Sequence, residues 1–512
     1  MTVFIHLPNG KFEHEIWELT RIFFPGREVR VLAPTAGEID VWKFSSADCL
    51  LTARYSYIND SEIEVRTKLE AGSDRLLKAN VHRFCMEQDI KSSPLREKRE
   101  LKKFVCQCIY DMLAEHTGRS PHWGILTGVR PLKVVHNLMD DCFDYREVLD
   151  ILDSEYRVKE DKAELLIETA RNQRHIIMGN RADIVSLYIH IPFCPTRCLY
   201  CSFPSAVVDT KSNVVDKYLD CLSLELEQVV GFLTQRGAEI QTLYIGGGTP
   251  TVLNFSQLER LMGAVELVLN GRKVREYTVE CGRPDSLDLD KLSILKAFGV
   301  NRISINPQTM NQETLDRIGR LHRSEDVAEA FRTAQKIGFK VINADLIAGL
   351  PGEEPEDFLY SLKSIIDLKP DNITVHTLAV KRASRLKEID EHYSYRQGEK
   401  VRLMLNSGQQ ILRDAGYVPY YLYRQKQMAG NLENVGYCFP GKESLYNIRI
   451  MEENQTILAL GAGGISKVWY PDENRLERIP NVSNYEIYIE RIEEMIQRKK
   501  DGIFTGFKEE RQ

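Results

Sequence analysis

The sequence predicts an α/β protein: a central run of six strand–helix units, an α+β region before it and a small domain after it. Three observations carry this expectation. From Ser186 onward, short β-rich runs alternate with amphipathic helical segments. Three bunched cysteines sit just past the first of those strands, where a parallel α/β sheet builds its active site. The 512 residues exceed the roughly 250–300 that a single hydrophobic core serves, so two or three domains are expected.

The elements follow in chain order. In residues 1–180, Phe12 to Phe23 has a helical apolar rhythm, and Val29–Leu32 and Glu62–Leu69 read as strands. The charged stretch Lys91–Lys103 reads as a solvated helix face. His122–Pro131 (HWGILTGVRP) is punctuated by glycine and proline and reads as a structured loop. Helical segments follow near Val134–Met139 and Lys159–Arg174. In residues 181–386 the strands are Ser186–Ile191, Gln241–Ile245, Glu276–Glu280, Arg302–Ile305, Val341–Ile347 and Asn372–Leu378. All but the last precede a helical pattern, and Ser256-Gln-Leu-Glu259 opens one of these helices as a capping box. Such alternation means parallel strands with right-handed crossovers. Six units are too few for a closed eight-fold barrel and suit a partial barrel or a doubly wound sheet. In residues 387–512 a helix near Glu399–Ala415 leads into an aromatic- and glycine-rich tail, read as a smaller third domain. The sequence shows no internal repeat and no low-complexity segment.

Composition narrows the class. A hydrophobic fraction of 43% and a charged fraction of 28% exclude wholesale disorder. A net charge of -6 argues against coating nucleic acid. No stretch is apolar for the roughly 18 residues of a membrane helix, and MTVFIHLPNGKFEHE lacks the pattern of a signal peptide. A cytoplasmic protein without membrane insertion is expected. Eleven cysteines, an odd number, argue for thiols or metal ligands over a disulfide framework. Cys49, Cys85, Cys106, Cys108, Cys142, Cys221, Cys281 and Cys438 are scattered and read mostly as buried apolar fillers.

The other three form C-x3-C-x2-C: Cys194, Cys198 and Cys201 within Tyr188-Ile-His-Ile-Pro-Phe-Cys194-Pro-Thr-Arg-Cys198-Leu-Tyr-Cys201. Three soft thiolates on one short loop grip one face of an iron–sulfur cluster or a soft metal. On a four-iron cube they leave one iron open to coordinate a small molecule. The alternative is a structural zinc site with His190 as fourth ligand. Zinc usually draws on two separate ligand pairs, and no second Cys/His pair stands ready to complete one.

With its context, this motif resembles the radical S-adenosylmethionine superfamily. YIHIPFC, Gly246-Gly-Gly-Thr-Pro250, Ser304-Ile-Asn-Pro-Gln308, Ile318-Gly-Arg320-Leu-His322-Arg and Asp345-Leu-Ile-Ala-Gly-Leu-Pro-Gly352 resemble its oxygen-independent coproporphyrinogen III dehydrogenase (HemN-like) group. HWGILTGVRP and Tyr421–Tyr437 (YLYRQKQMAGNLENVGY) resemble the HemZ branch. The resemblance covers nearly the whole chain. It implies a partial (β/α)6 TIM-like barrel and a [4Fe-4S] cluster on the three cysteines. It also implies S-adenosylmethionine on the open iron, cleaved by an electron from the cluster to methionine and a 5′-deoxyadenosyl radical. The implied activity is a radical oxidoreductase of haem and porphyrin biosynthesis. It would convert two propionates of coproporphyrinogen III to vinyls, giving protoporphyrinogen IX, with an external electron donor and a terminal electron acceptor. The runner-up readings are a haem-binding chaperone of the same family and a radical haem-modifying methyltransferase. A radical tRNA-modifying enzyme is more distant, because no strongly basic module is visible.

The resemblance also assigns residues. Gly246, Gly247, Gly248 and Thr249 match the turn that contacts the methionine end of the cofactor, and glycine there lets the backbone approach a ligand. Glu280, Gln308, Arg320 and Asp345 match residues that hydrogen-bond its methionine or ribose. Two carboxylates suit an ammonium and a diol, and arginine suits a carboxylate. Tyr188 and Tyr200 flank the cluster or adenine, or are packed core aromatics. His190 and His322 read as structural. A tetrapropionate substrate needs cations, for which Lys381, Arg382, Arg385, Arg424, Lys426, Lys442, Arg449 and Lys467 are candidates, Arg382, Arg385, Arg424 and Lys467 foremost. Gly461-Ala-Gly-Gly464 lines the macrocycle or forms a turn. No residue is assigned as the catalytic acid, base or nucleophile. One departure stands out: relatives with dehydrogenase chemistry often carry a further cysteine two residues past the third ligand, and this chain has Phe203.

Overall fold

The computed structural model describes residues 2–34, 45, 47–72, 75–91, 93–128, 130–207, 213–473 and 475–506. Val129, inside the HWGILTGVRP segment, lies outside them. The chain divides into two compact units, Met1–Glu168 and Thr169–Gln512.

The first unit holds a five-stranded mixed sheet of Thr2–His6 (β1), Glu28–Val31 (β2), Cys49–Tyr57 (β3), Glu62–Ala71 (β4) and Leu76–Cys85 (β5), in the order β2-β1-β3-β4-β5. Helices Glu13–Phe23 (α1) and Pro94–Thr117 (α2) pack on it through Ile16, Leu19, Phe23, Val105, Ile109 and Leu113. The charged stretch Lys91–Lys103, expected to be a helix face, begins at Lys91, the last residue of the short helix Gln88–Lys91, passes Ser93 and covers the first ten residues of α2. The sequence reading missed β1, β3 and β5; the side chains of β5 are nearly all polar or partly exposed and give no apolar alternation. Helices Leu132–Asp140 (α3), Tyr145–Ser154 (α4) and Glu160–Met178 (α5) follow. The division between the units falls within α5.

The second unit is built on one eleven-stranded sheet. Its strands are Ile184–Ile191 (β6), Glu239–Gly247 (β7), Glu276–Glu280 (β8), Arg302–Ser304 (β9), Val341–Ala348 (β10) and Asn372–Thr377 (β11), then Val418–Tyr423 (β12), Asn434–Cys438 (β13), Thr456–Leu460 (β14), Ile465–Tyr470 (β15) and Arg475–Pro480 (β16). The order is β12-β13-β11-β10-β9-β8-β7-β6-β14-β15-β16. The six expected strands all exist, parallel and in sequence order. Helices Asn213–Gln235 (α6), Phe255–Leu269 (α7), Leu289–Ala297 (α8), Ser324–Ile337 (α9) and Pro355–Asp367 (α10) make the crossovers. β6 reads IVSLYIHI and is buried at every position but Tyr188, as a parallel strand covered on both faces must be. The two edge strands, β12 and β16, do not pair with each other, so the sheet is open and no closed barrel forms.

One sequence expectation needs correction. The cap of α7 is Asn254, whose side chain accepts from Gln257 N while Gln257 answers back to Asn254 N; Ser256 already lies inside the helix. Asparagine three residues before a glutamine makes the same reciprocal pair two residues earlier. The aromatic- and glycine-rich tail adds strands to the same sheet. β14 lies parallel to β6 and adds a seventh parallel strand on its other side, and β13 pairs antiparallel with β11. Both are short apolar strands that periodicity alone cannot assign to a neighbour.

Candidate active site

A cleft of about 340 Å³ opens at the carboxyl ends of β6–β11, within the size range of small-molecule sites. Its wall includes Cys194, Cys198, Cys201, Tyr188, Tyr200, Gly247, Gly248, Thr249, Glu280, Gln308, Arg320 and Asp345. Twelve of the thirteen residues assigned to cluster and cofactor therefore share one cavity. Gly246 stands just behind, under the Tyr244 and Glu280 side chains.

The cysteine loop leaves β6 at Ile191 and is fixed by its neighbours. Gly248 N donates to Ile191 O and Thr249 N to Phe193 O, both at 2.8 Å. Leu199 N donates to Ile318 O and Leu386 N to Leu199 O, both at 3.0 Å. Arg283 donates to Thr196 Oγ1 at 2.7 Å and sits 3.9 Å from Cys198 Sγ. Burial pushes the Cys194 and Cys201 thiols up.

The glycines of the next turn are needed for space. Gly247 has φ 116°, and a Cβ there would lie 2.2 Å from His190 Cδ2. A Cβ on Gly248 would lie 2.4 Å from Phe193 O and 2.9 Å from Cys194 Sγ. His190 is buried, its Nδ1 engaged by Ala462 O, and burial lowers its pKa. It is a wedge under the turn and is not free to ligate zinc. The Gly461–Gly464 segment forms the turn that holds His190; it is not part of the cleft wall.

The polar groups converge. Glu280 accepts from Tyr244 OH at 2.7 Å and from Gly247 N at 3.2 Å. Burial raises its pKa to about 7; the two donors oppose that and the Asp345 charge adds to it. Gln308 has φ 72°, the left-handed region, held by Gln308 N donating to Asp345 O and Ile347 N to Gln308 O, both at 2.9 Å. Its Oε1 is buried with no protein partner. Arg320 is buried, donates to Gly282 O at 3.0 Å and Asn306 O at 2.6 Å, and leaves Nε unpartnered. Strained backbone and unpaired buried polar atoms mark a site shaped for a ligand. Asp345 accepts from Asn343 Nδ2 at 2.7 Å and faces His376 Nε2 at 3.6 Å, while His376 Nδ1 lies 3.2 Å from Tyr423 OH.

Sequence reasoning missed Arg283, Asn306, Asn343, His376, Tyr421 and Tyr423 on this wall. Asn306 lies inside the quoted Ser304–Gln308 motif, and Asn343 and His376 lie on expected strands; period-2 alternation with the site residues was the available signal. Of the proposed substrate cations, only Lys381 reaches the wall. Arg382 and Arg385 are exposed outside it. Arg424 is buried and donates to Asn431 O. Lys467 pairs with Glu453 at 2.9 Å, and Lys442 with Asp371 at 2.9 Å. Arg449 is buried against Gln241, and Lys426 is exposed outside the wall. His322 is buried beside Asp285.

Among the described residues, no three His, Cys, Asp or Glu are gathered to hold a single metal ion. The residues fit a larger group: three thiols, a glycine cradle that a Cβ would fill, and unpaired buried donors and acceptors. Such a site, on the ends of parallel strands, is that of a cluster-dependent S-adenosylmethionine protein.

Comparison with known proteins agrees. Residues 188–365 match the family model of the radical SAM superfamily. The chain is 38% identical over 398 residues to the oxygen-independent coproporphyrinogen-III oxidase-like protein HemZ of Bacillus subtilis (strain 168), covering 77% of this chain and 79% of that one. It is 39% identical over 196 residues to the heme chaperone HemW of the same organism, covering 38% and 50%. The structure of coproporphyrinogen III oxidase (HemN) from Escherichia coli, a radical SAM enzyme, superposes with a TM-score of 0.48 at 26% identity, covering 64% of this chain and 73% of that chain. The chain belongs to the radical SAM superfamily, in its HemZ- and HemN-like group. Members of that superfamily carry a [4Fe-4S] cluster and S-adenosylmethionine.

Proposed function

We propose that this protein is a radical enzyme of tetrapyrrole metabolism in the cytoplasm that decarboxylates two propionates of coproporphyrinogen III to vinyls, giving protoporphyrinogen IX. The observation carrying this reading is the convergence of three thiols, the glycine turn and Glu280, Gln308, Arg320 and Asp345 in one cleft. Cys194, Cys198 and Cys201 ligate the cluster. When bound, cluster and S-adenosylmethionine supply a carbon-centred radical that takes hydrogen atoms.

The chain's own residues bind and orient. Arg320 holds the cofactor's carboxylate, Glu280 its ammonium and Asp345 its ribose diol. Tyr188 and Tyr244, whose ring centroids lie 6.0 Å apart, shield the cleft from water. Arg197 and Lys381 are the cations on the wall nearest the role of holding propionates. A hydrogen atom leaves the propionate β-carbon; CO2 and one electron then leave, and that electron goes to an external acceptor. We read β6–β11 with their crossovers as a partial (β/α)6 barrel, residues 387–512 as substrate domain and lid, and residues 1–180 as a separate α+β domain.

A second reading, haem delivery without turnover, is favoured by Phe203 in place of the additional cysteine and by the HemW relative. Anaerobically reconstituted protein with coproporphyrinogen III and dithionite separates them. Release of 5′-deoxyadenosine, CO2 and protoporphyrinogen supports the enzyme. Tight haem binding with no substrate-dependent cofactor cleavage supports delivery. Methylated or ring-opened products would overturn both.

A further inference from the structure

Arg283 stands on the cleft wall with only 2% of its surface exposed, and the function proposed above gives it no part. It follows β8, where Arg283-Pro284-Asp285-Ser286 closes a single tight turn. Ser286 N and Ser286 Oγ both donate to Arg283 O, at 3.0 Å and 2.7 Å. The turn brings Asp285 back against the guanidinium, whose Nε and Nη2 donate to Asp285 Oδ1 and Oδ2 at 3.2 Å and 3.3 Å. Nη1 lies on the other side of the planar fork. It donates to Thr196 Oγ1 at 2.7 Å, to Thr196 O at 3.4 Å and to Cys198 Sγ at 3.9 Å. The guanidinium therefore has its counter-ion on one edge and a sulfur of the cysteine loop on the other.

Both charges are permanent. Burial works against ionisation of Asp285, but His322, with Nδ1 3.7 Å away, and Arg283 outweigh it and hold the carboxyl well below the ordinary range. Arginine does not deprotonate in a protein. Cys198 is also buried, so solvent screens the guanidinium from the sulfur only weakly. The other basic side chains on the wall, besides His376, are Arg197, Arg320 and Lys381. Arg197 is exposed and Lys381 half-buried, so water screens them more. Arg320 also reaches Cys198, but in the proposed function its charge is met by the cofactor's carboxylate. Hydrogen bonds to ligand sulfurs and the charge around a cluster set its reduction potential. An electron added beside Cys198 is one more negative charge, and a fixed cation stabilises the reduced state more than the oxidised one.

We infer that Arg283, oriented by Asp285, is an electrostatic tuning residue that raises the reduction potential of the cluster on Cys194, Cys198 and Cys201. The inference rests on the cluster assignment above. In the step it tunes, a one-electron donor is oxidised by one electron and the cluster is reduced by one; no bond forms or breaks. Arg283 touches neither substrate nor cofactor and acts through Cys198.

The test is a potentiometric titration of reconstituted protein without S-adenosylmethionine, with dithionite as reductant. The reduced cluster is followed by electron paramagnetic resonance, and iron and sulfide are measured alongside, for wild type, Arg283→Gln and Asp285→Asn. Arg283→Gln should keep its iron and sulfide and titrate at a lower potential, by at least the about 59 mV of a ten-fold change in a one-electron equilibrium. Asp285→Asn, which keeps the guanidinium and removes its counter-ion, should titrate at a higher potential. A purely structural brace would change cluster content and leave the potential where it is. Arg283→Gln with full iron and sulfide and a smaller shift, or a rise, overturns the inference and leaves the cluster reading intact. If Arg283→Gln fails to hold a cluster, Asp285→Asn decides: a higher potential supports the inference, and an unchanged or lower one overturns it. Loss of the cluster from both variants assigns the pair to holding the loop and also overturns it. A wild-type protein that takes up no iron and sulfide overturns the cluster reading itself.

Discussion

Tyr244 and Glu280 are joined by a 2.7 Å hydrogen bond at the floor of the cleft, and the Gly247 N–H holds the other carboxylate oxygen. This couples the cofactor turn to a carboxyl group whose pKa burial raises to about 7. An unfolded glutamate titrates near 4.3, so the native state binds more protons between about pH 4.5 and 7. Stability therefore falls as pH rises through that window. Replacing Glu280 by Gln should stabilise the cofactor-free protein by up to about 3 kcal/mol at pH 8, with the gain vanishing near pH 4.5. Urea denaturation across pH measures it. The same variant should bind S-adenosylmethionine at least about ten-fold more weakly, because the charged acceptor is gone.

The glycine turn makes a steric prediction. Gly247→Ala places a methyl 2.2 Å from His190 and forces a residue into φ 116°. It should cost about 2–4 kcal/mol and abolish measurable cofactor binding. Gly271→Ala, with φ 74° but open space around it, should cost only about 1 kcal/mol and leave binding intact.

Gln308 stores backbone strain and carries an unpaired buried oxygen. Gln308→Gly should relieve about 1 kcal/mol of strain and raise the melting temperature, yet weaken cofactor binding. Gln308→Ala should lose on both counts. Scanning calorimetry with and without S-adenosylmethionine distinguishes the pair.

Outside the cleft wall, Lys499 and Glu225 form a fully buried ion pair at 2.5 Å. Glu225 also accepts from Gly461 N and Tyr488 OH, both at 2.7 Å, so it anchors the turn that holds His190. Glu225→Gln alone should cost about 3–5 kcal/mol, since a buried ammonium is left uncompensated. Glu225→Gln with Lys499→Met should cost less than the sum of the single changes, as a denaturation cycle would read.

Much of this was legible in the chain. The six parallel strands announced themselves because buried parallel strands are short apolar runs between amphipathic helices, and Cys194, Cys198 and Cys201 because three thiols rarely crowd one loop by chance. Glu280, Gln308, Arg320 and Asp345 were legible through motif spacing at strand ends. What escaped depends on distant chain segments meeting. β14 pairs with β6 across about 270 residues of sequence, and nothing in TILAL names that partner. Arg424, Arg449 and Lys467 are cations on the page of the sequence, but backbone carbonyls, Gln241 and Glu453 hold them away from the cleft. Asn343 and His376 carry no motif of their own and join the site through the pleat of their strands, while Asn306 went unread inside the Ser304–Gln308 motif.

The direct trial of the account is the metal and sulfide content of anaerobically reconstituted wild type beside Cys198→Ala, read by absorbance and Mössbauer spectroscopy. The account predicts about four irons and four sulfides per wild-type chain, a brown chromophore and dithionite-driven cleavage of S-adenosylmethionine, all lost in the variant. A colourless wild-type protein holding one tetrahedral zinc and no sulfide, or a variant that keeps its iron, would contradict it.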